Sequence, residues 1–184
     1  MNEDTTQMKV LRRRCIRPVV TLRRIDAPDR EELVRFYAAL SPESRRRRFL
    51  GTASGIPDQS CRSLCSPDHE HEEGLVAVRR SGGRDDGEIV GHLCLVPVDA
   101  STVEFAVAVA DEHQGRGIGR HLFEAALAWA ARHQIATVTA TAFADNAPVL
   151  RLLSSSPSGA NVRPVGAGVV EIEIPVGRAR RDAA

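Results

Sequence analysis

The chain has 184 residues, a formal net charge of +1, 42% hydrophobic residues and 27% charged residues. These values predict one folded domain with a buried core, and the near-neutral charge argues against a polyanionic partner. The sequence lacks the roughly 18 consecutive apolar residues of a membrane-spanning helix, and its four cysteines lack the density of a secreted disulfide scaffold. We therefore expect a cytoplasmic protein with no membrane contact.

The two ends of the chain differ in composition from its middle. Residues 1–17 are polar and include three consecutive arginines, and residues 178–184 are again charged. Such segments bury little apolar surface, so we expect a flexible leader and a flexible tail. Residues 18–177 are predicted to form the folded domain.

The domain is predicted to open with a strand and two helices. Residues 19–25 alternate as a strand, and residues 30–40 place their apolar side chains on one helical face. Asp29 precedes the first helix and is a candidate to cap it. The second helix should begin at Ser41, because Pro42 then occupies the first helical position, where proline is favoured.

Four consecutive arginines at residues 45–48 fall on the second helix. They could form a nucleic-acid-binding patch. Such runs more often make a solvated helix face, and the interleaved aromatic residues that stack on bases are missing here. We therefore expect no nucleic-acid partner.

The next segment contains four potential metal ligands. Structural zinc sites usually have a closer cysteine pair and a longer interval before the histidines. Cysteines four residues apart can instead pack on one face of a short helix, which is predicted over residues 58–65. We therefore expect no metal ion. The residues in question are Cys61, Cys65, His69 and His71.

The middle of the domain predicts an antiparallel sheet. Residues 74–80 and 88–97 read as strands joined by a hairpin loop at residues 81–87, which is rich in glycine and aspartate. A turn at residues 99–101 leads into a third strand that starts near residue 102.

A strand, a glycine-rich loop and a helix follow one another from Glu104 to His133. Residues 104–109 form an apolar run with β-branched members, and three glycines fall within residues 115–119. Such a unit directs backbone N–H groups and the positive end of a helix dipole at an anion, here predicted to be a phosphate. The alternative is that the glycines only allow a tight turn. The apolar helix face comprises Ile118, Leu122, Ala125, Ala126 and Trp129.

The C-terminal part of the domain is predicted less completely. Residues 137–143 are rich in β-branched side chains and read as a strand, and residues 145–148 begin a short helix that ends at Leu153. Residues 169–176 alternate as a last strand. The serine-rich residues 154–159 leave open whether a hairpin completes the sheet.

The loop matches Gln/Arg-x-x-Gly-x-Gly/Ala, with Gln114, Gly117 and Gly119 in the fixed positions. This pattern, separated from Val109 by four residues, resembles the acyl-CoA-binding motif of the GNAT superfamily of N-acyltransferases. It matches neither a nucleoside triphosphate loop nor a dinucleotide fingerprint. The resemblance implies an α/β (α+β) GNAT fold: a mixed, mostly antiparallel sheet of six to seven strands, about four flanking helices, and splayed strands 4 and 5.

The resemblance also implies which residues bind the co-substrate acetyl-CoA. The loop would hold the pyrophosphate, and the preceding strand would pair with the pantetheine arm. Arg116 and Arg120 could instead be solvated charges, and Asn146 could be an ordinary helix cap. The predicted cofactor-binding residues are Val107, Ala108, Val109, Gln114, Gly115, Arg116, Gly117, Ile118, Gly119, Arg120 and Asn146.

Residues 36–49 are similar to the opening helices of bacterial protein lysine acetyltransferases of the Pat type, which acetylate a lysine of acyl-CoA synthetases. Those enzymes carry their catalytic glutamate in a Glu-Phe-Ala-Val context, which starts here at Glu104. Glu104 would act as the base if a local bulge turns it toward the site. The N–H of Val109 would polarise the thioester. Alternatively, Glu104 is a strand-edge residue that faces water.

The resemblance implies direct acetyl transfer to an amine in a ternary complex. The tyrosine that protonates the departing thiolate in many GNAT enzymes is absent, because Tyr37 is the only tyrosine and lies elsewhere. The acceptor is expected to be a protein lysine. A small-molecule amine and a non-catalytic acetyl-CoA sensor remain alternatives, and the protein could be a monomer or a homodimer.

Overall fold

The computed structural model describes residues 20–51, 61, 63–79 and 87–177. The predicted leader and tail lie outside these ranges. So do most of the hairpin loop predicted at 81–87 and the start of the helix predicted at 58–65.

Seven strands form one mixed sheet in the order β1-β2-β3-β4-β5-β7-β6. Neighbouring strands are antiparallel except β4 and β5, which are parallel. The predicted fold class is therefore confirmed. The strands are β1 (Val20–Arg24), β2 (Glu73–Arg79), β3 (Glu88–Pro97), β4 (Thr102–Val109), β5 (Thr137–Phe143), β6 (Asn161–Gly166) and β7 (Val169–Pro175).

Four α-helices flank the sheet in the described part of the chain. They are α1 (Arg30–Ala39), α2 (Pro42–Arg48), α3 (Ile118–Arg132) and α4 (Ala147–Leu153). The longest, α3, has 15 residues. None of the described helices combines the length and the apolar character needed to span a bilayer.

The structure confirms the predicted start of α2, whereas the Asp29 side chain at the start of α1 has other partners than expected. Ser41 caps α2 as predicted, since its Oγ accepts from the N–H of Ser44 at 3.1 Å. Asp29 occupies the N-cap position of α1 as predicted, but its side chain makes no capping hydrogen bond to that helix. Its carboxylate instead accepts two 2.6 Å bonds from the Arg23 guanidinium and a 2.9 Å bond from the N–H of Asp26. A bidentate arginine is a stronger partner than a backbone amide, so it determines where the carboxylate points.

A hydrophobic core lies on each face of the sheet. Helix α3 covers one face and α1 the other. Gly91 of β3 allows α3 to approach closely, because a Cβ there would lie 3.1 Å from Ile118 and 3.2 Å from Leu122. The predicted helix face is correct except that Ala125 is only half-buried. The buried residues of α3 are Ile118, Leu122, Phe123, Ala126, Trp129 and Ala130.

A final hairpin completes the sheet. The last strand is present as predicted, and β6 pairs with it along its length. Strand β6 was not predicted because it is an edge strand whose residues are all exposed, so it carries no alternation of buried and exposed positions. It also contains Pro164, which edge strands tolerate and central strands exclude.

The potential metal ligands of the Cys-His stretch have separate partners. Both cysteines are buried. His69 Nδ1 lies 2.5 Å from the buried carboxylate of Glu73, whereas His71 is exposed and pairs with Asp68 at 2.8 Å. Among the described residues, no group of three or more side chains is arranged to hold a metal ion.

A buried tyrosine–histidine pair links α1 to β3. The Tyr37 hydroxyl and His92 Nδ1 are hydrogen-bonded at 2.8 Å, and both side chains are buried. Burial, helped by the nearby positive charge of Arg48, lowers the pKa of His92 from 6.5 to about 3. The folded protein therefore keeps His92 neutral at pH values where the unfolded chain protonates it.

This difference predicts loss of stability in mild acid. As the pH falls below 6.5, only the unfolded state binds the His92 proton, so the free energy of unfolding should decrease by up to about 1.4 kcal/mol per pH unit. The decrease should continue toward the folded pKa of about 3. Urea unfolding between pH 7 and pH 5 measures it, above the range in which ordinary carboxylates titrate.

The matched variant is His92→Asn, whose amide oxygen can replace Nδ1 as the acceptor for Tyr37 but does not titrate. Its stability should vary less with pH over the same interval, by about the contribution of one proton. An unchanged pH slope would show that His92 is not the group responsible.

Candidate active site

Strands β4 and β5 separate partway along their length. They pair only at Thr102↔Thr137, Val103↔Val138 and Glu104↔Thr139. Beyond Glu104, β4 continues to pair with β3, and β5 with β7. The result is a wedge-shaped gap in the middle of the sheet, as the splayed strands in the predicted fold require.

Backbone groups of β4 point into this gap. At its two ends, Ala110 N donates to Val90 O and Thr102 O accepts from Val98 N, each at 2.9 Å. Hydrogen bonding alternates along an antiparallel pair, so the even-numbered residues of β4 bond to β3. The N–H and C=O groups of Val107 and Val109 therefore face the gap, where an extended ligand can pair with them.

The glycine-rich loop lies where the gap is widest. Gly115 has φ +70° and Gly117 has φ +88°, and a Cβ at either position would meet nothing within 4 Å. Gly117 is the N-cap residue of α3, and no side chain caps that helix terminus. The first-turn N–H groups and the helix dipole are thus directed at open space, which suits an anion.

A cavity of about 560 Å³ joins the gap, the loop and α2. All the residues predicted for the site line it except Arg116. Arg116 borders a second cavity beside β1, together with His121 and Glu124. Arg120 lines the first cavity while its Nε donates to Glu124 at 2.8 Å. Asn146 does cap α4, with its Oδ1 3.5 Å from the N–H of Val149.

Gln114 has a role that its motif position did not indicate. Its Nε2 donates to the carbonyl of Val109 and to Ser44 Oγ, each at 3.1 Å. The side chain therefore connects the end of β4 with α2. Through these two hydrogen bonds, Gln114 holds the end of β4 and helix α2 in a fixed relative position.

Glu104 is exposed and lines the cavity. Its neighbours Val103 and Phe105 are 0% and 3% exposed and belong to the core beneath α3. Ordinary strand alternation therefore turns Glu104 to the opposite face. The β3–β4 register has no shift, so the proposed bulge was wrong and is not needed to orient the carboxylate.

Helix α2 closes one side of the cavity, which the sequence did not predict. Ser44, Arg48 and Phe49, at or next to this helix, line the cavity. Near its C-terminal end, the Arg46 guanidinium stacks over the Phe143 ring at 4.2 Å from the ring centre. Helix α2 therefore bridges the two separated strands, from the end of β4 to the end of β5.

The Asp111 side chain binds the N-terminal end of α2 through three hydrogen bonds. Its carboxylate accepts from Ser41 N at 2.8 Å, Ser41 Oγ at 2.7 Å and Ser44 Oγ at 2.6 Å. Although burial opposes ionisation, these hydrogen bonds lower the pKa of Asp111. The carboxylate is thus charged at neutral pH and holds α2 against the loop that leads to Gln114.

Removing this carboxylate in Asp111→Ala should loosen α2. We expect a loss of about 1–2 kcal/mol of stability and a rise of several-fold in the KM of the acceptor, with a smaller change in donor affinity. Thermal unfolding and steady-state kinetics measure these effects. The matched control is Asp99→Ala, since Asp99 also accepts from a serine N–H and hydroxyl, at 2.7 and 3.1 Å, but caps a distant turn. Equal kinetic effects in both variants would contradict a specific role for Asp111.

These features define a class of protein: an α/β domain whose split sheet and glycine-rich loop suit an elongated ligand with an anionic end. The chain belongs to the acetyltransferase (GNAT) family, whose model matches residues 33–155. The predicted activity class, a GNAT acetyltransferase with acetyl-CoA as co-substrate, is therefore confirmed.

Solved structures with the same fold support this assignment. The GNAT domain of S. lividans PAT is 26% identical with a TM-score of 0.73, over 85% of this chain and 90% of that chain. This agrees with the resemblance to Pat-type domains. A putative acetyltransferase from Salmonella typhimurium, solved with acetyl-CoA, is 19% identical with a TM-score of 0.65, over 90% of this chain and 99% of that chain. Spermidine N-acetyltransferase from Vibrio cholerae, solved with CoA and spermine, is 17% identical with a TM-score of 0.62, over 85% of this chain and 95% of that chain.

Proposed function

We propose that this protein transfers acetyl from acetyl-CoA to a lysine side chain of a protein, directly and within a ternary complex. The observation that carries the proposal is the gap between β4 and β5, which begins at Glu104 and ends at the glycine-rich loop. A donor lying in this gap with its phosphates at the loop would extend its acyl end toward Glu104.

In this proposal the donor is held mainly by backbone groups. The amides of Gly115, Gly117 and Gly119, with the N-terminus of α3, bind the pyrophosphate. The Arg120 guanidinium, which is exposed beside them, adds a charge-assisted contact. The N–H and C=O groups of Val107 pair with the pantetheine arm, which leaves the N–H of Val109 for the thioester carbonyl.

The reaction requires a neutral amine and a polarised thioester. Glu104 removes a proton from the acceptor ammonium, directly or through a water molecule. The amine nitrogen then attacks the thioester carbon, and the N–H of Val109 stabilises the negative charge that develops on the carbonyl oxygen. The C–S bond then breaks and its electron pair leaves with sulfur as a thiolate, while the nitrogen of the new C–N bond loses its remaining extra proton to water.

The thiolate departs without a tyrosine as proton donor. Helix α4 contains no tyrosine. Tyr37 is bonded to His92 in the core, and burial raises its pKa to about 12. Water can protonate the thiolate, which is a weak base compared with an alkoxide. The described cysteines, Cys61, Cys65 and Cys94, are buried. This supports direct transfer over an acetyl-cysteine intermediate.

The acceptor assignment rests on the likeness to the S. lividans PAT domain and on the residues 36–49 that resemble Pat-type enzymes. The test is an acetyl-CoA turnover screen against acyl-CoA synthetases and other proteins, with mass spectrometry to locate the modified residue. We expect acetylation of a lysine ε-amine. Turnover with small amines alone would overturn the protein-lysine assignment while leaving the acetyltransferase activity intact.

A small-molecule acceptor is the second candidate. The fold is shared with a spermidine N-acetyltransferase and with a phosphinothricin acetyltransferase from Sinorhizobium meliloti, at 17% and 15% identity. Including a polyamine and an amino acid in the same screen separates this candidate from the first. Tight coenzyme A binding with no turnover of any acceptor would favour a non-catalytic sensor.

A further inference from the structure

Arg48 is the last residue of α2, and its guanidinium points toward the sheet. Its Nη2 lies 3.4 Å from Cys94 Sγ. Cys94 is paired in register with Ala106, two residues along β4 from Glu104 and on the same face of the sheet. Arg48 also lines the cavity that contains Glu104. The guanidinium is therefore next to the part of the cavity where the acceptor amine must enter in the proposed function.

The groups in direct contact with this cation are neutral, although Glu104 is near enough to interact with it electrostatically. The guanidinium carbon lies 5.1 Å from the centre of the Phe49 ring and 5.9 Å from that of Tyr37. Burial raises the pKa of Cys94 and of Tyr37, so both stay protonated at neutral pH. A thiol and two aromatic rings compensate a half-buried positive charge only weakly.

Arg48 also differs from the arginines before it on α2. Arg46 and Arg47 both pair with Glu43, at 2.9 and 2.6 Å, and Arg45 donates to the carbonyl of Ala38 at 3.0 Å. Among the residues that the structure describes, no carboxylate lies within ion-pair distance of Arg48. Its Nε is buried and lacks a hydrogen-bond partner there.

Glu104 interacts electrostatically with Arg48 but forms no ion pair with it. It is the only carboxylate among the described residues that line the cavity. It is exposed rather than bonded to the guanidinium. In the proposed reaction, moreover, it accepts a proton from the amine and so loses its charge during turnover. Whenever Glu104 is protonated, the half-buried Arg48 has no charged carboxylate beside it among the described residues that line the cavity.

The donor phosphates lie elsewhere in the proposed complex. They bind at the loop beyond Val109, whereas Arg48 lies level with Ala106. Three strand residues separate these positions by about 10 Å, and the loop lies farther still. An anion that reaches Arg48 must therefore come from the acceptor side of the cavity.

We propose that Arg48 determines acceptor specificity by binding a carboxylate that the acceptor carries close to its reacting amine. This inference rests on the proposed function and names its substrate class. The carboxylate could belong to an aspartate or glutamate beside the target lysine, or to the α-carboxylate of a free amino acid. Both would form a charge-assisted, bidentate contact with the guanidinium.

The experiment compares acceptors that differ only in this charge. One pair is a lysine peptide flanked by glutamate and the same peptide flanked by glutamine. The other pair is an amino acid and its amide. Affinity is measured by calorimetry in the presence of coenzyme A, which allows a complex to form without chemistry, and kcat/KM is measured with acetyl-CoA. We expect the wild type to prefer the carboxylate member of one pair by about tenfold or more, and that pair identifies the source.

Arg48→Gln should abolish the preference, and Arg48→Lys should retain part of it because the charge is kept. The matched control is Arg45→Gln, which removes a charge from the same helix but from a residue that does not line the cavity. Circular dichroism and coenzyme A affinity establish that each variant is folded. Equal binding of both members of each pair by the wild type would overturn the inference, as would a preference that survives in Arg48→Gln.

Failure of the proposed function gives a different result. In that case no acceptor is acetylated, yet the calorimetric comparison still shows whether Arg48 selects a carboxylate. Turnover with equal rates for charged and neutral acceptors would instead support the acetyltransferase reaction and overturn only the role of Arg48.

Discussion

Replacing Glu104 with glutamine should lower kcat by about 10²- to 10⁴-fold, the range expected on loss of a general base. Glutamine keeps the size and the hydrogen-bonding shape of glutamate but cannot accept the ammonium proton. The affinity for acetyl-CoA should change little, because the carboxylate lies at the closed end of the gap, away from the glycine-rich loop. Initial rates over a range of acceptor concentrations give kcat, and calorimetry measures the binding of acetyl-CoA.

A second glutamate on the sheet provides the control. Glu171 lies on β7, pairs with Arg163 at 2.6 Å and does not line the cavity. Glu171→Gln should leave kcat within a factor of about two, since surface substitutions change little. Unchanged turnover in Glu104→Gln with every acceptor would show that another group, or solvent alone, deprotonates the amine.

Replacing Gly117 with glutamate should reduce acetyl-CoA affinity by about 100-fold or more. The residue has φ +88°, which a non-glycine side chain adopts only with strain. The added carboxylate would also lie among the N–H groups that we assign to the pyrophosphate, where it repels the phosphates and competes for the same donors. Equilibrium titration with coenzyme A measures the loss.

A control variant separates the effect of backbone strain from the effect of placing a negative charge in the loop. Gly168, in the β6–β7 turn, also has a positive φ of +72°, and a Cβ there would meet nothing within 4 Å. Gly168→Glu therefore carries a comparable backbone cost at a site far from the cavity. Stability should fall by a similar amount in both variants, of the order of 1 kcal/mol, while only Gly117→Glu loses donor affinity. Equal affinity for coenzyme A in Gly117→Glu and the wild type would refute the assignment of the loop.

The central strand, loop and helix were predictable because their signals are local. A buried strand such as β5 alternates between core and surface, and α3 repeats its apolar residues every three or four positions. Gly115 and Gly117 do adopt the positive φ that their residue type suggested. Strand β6 was not predicted because all its residues are exposed, so its sequence has no alternation of buried and exposed positions.

The contacts between α2 and the segment after β4 could not be predicted from the sequence, for a different reason. The contacts of Ser44 and Gln114 with each other, and of Asp111 with Ser41, join residues about 70 positions apart. No periodicity links such residues. The run of arginines at 45–48 likewise looks uniform along the chain, although Arg48 turns inward and the others make surface contacts.

Local sequence patterns were enough to predict the order of the main elements and the glycine-rich loop between β4 and α3, since turns, helix starts and strand alternation depend on neighbouring residues. Packing of distant elements determines that β4 and β5 separate beyond Glu104, that α2 bridges the gap, and that Arg48 lines the cavity. Those features depend on which distant groups satisfy each other's hydrogen bonds and charges, and that choice is made when the elements pack.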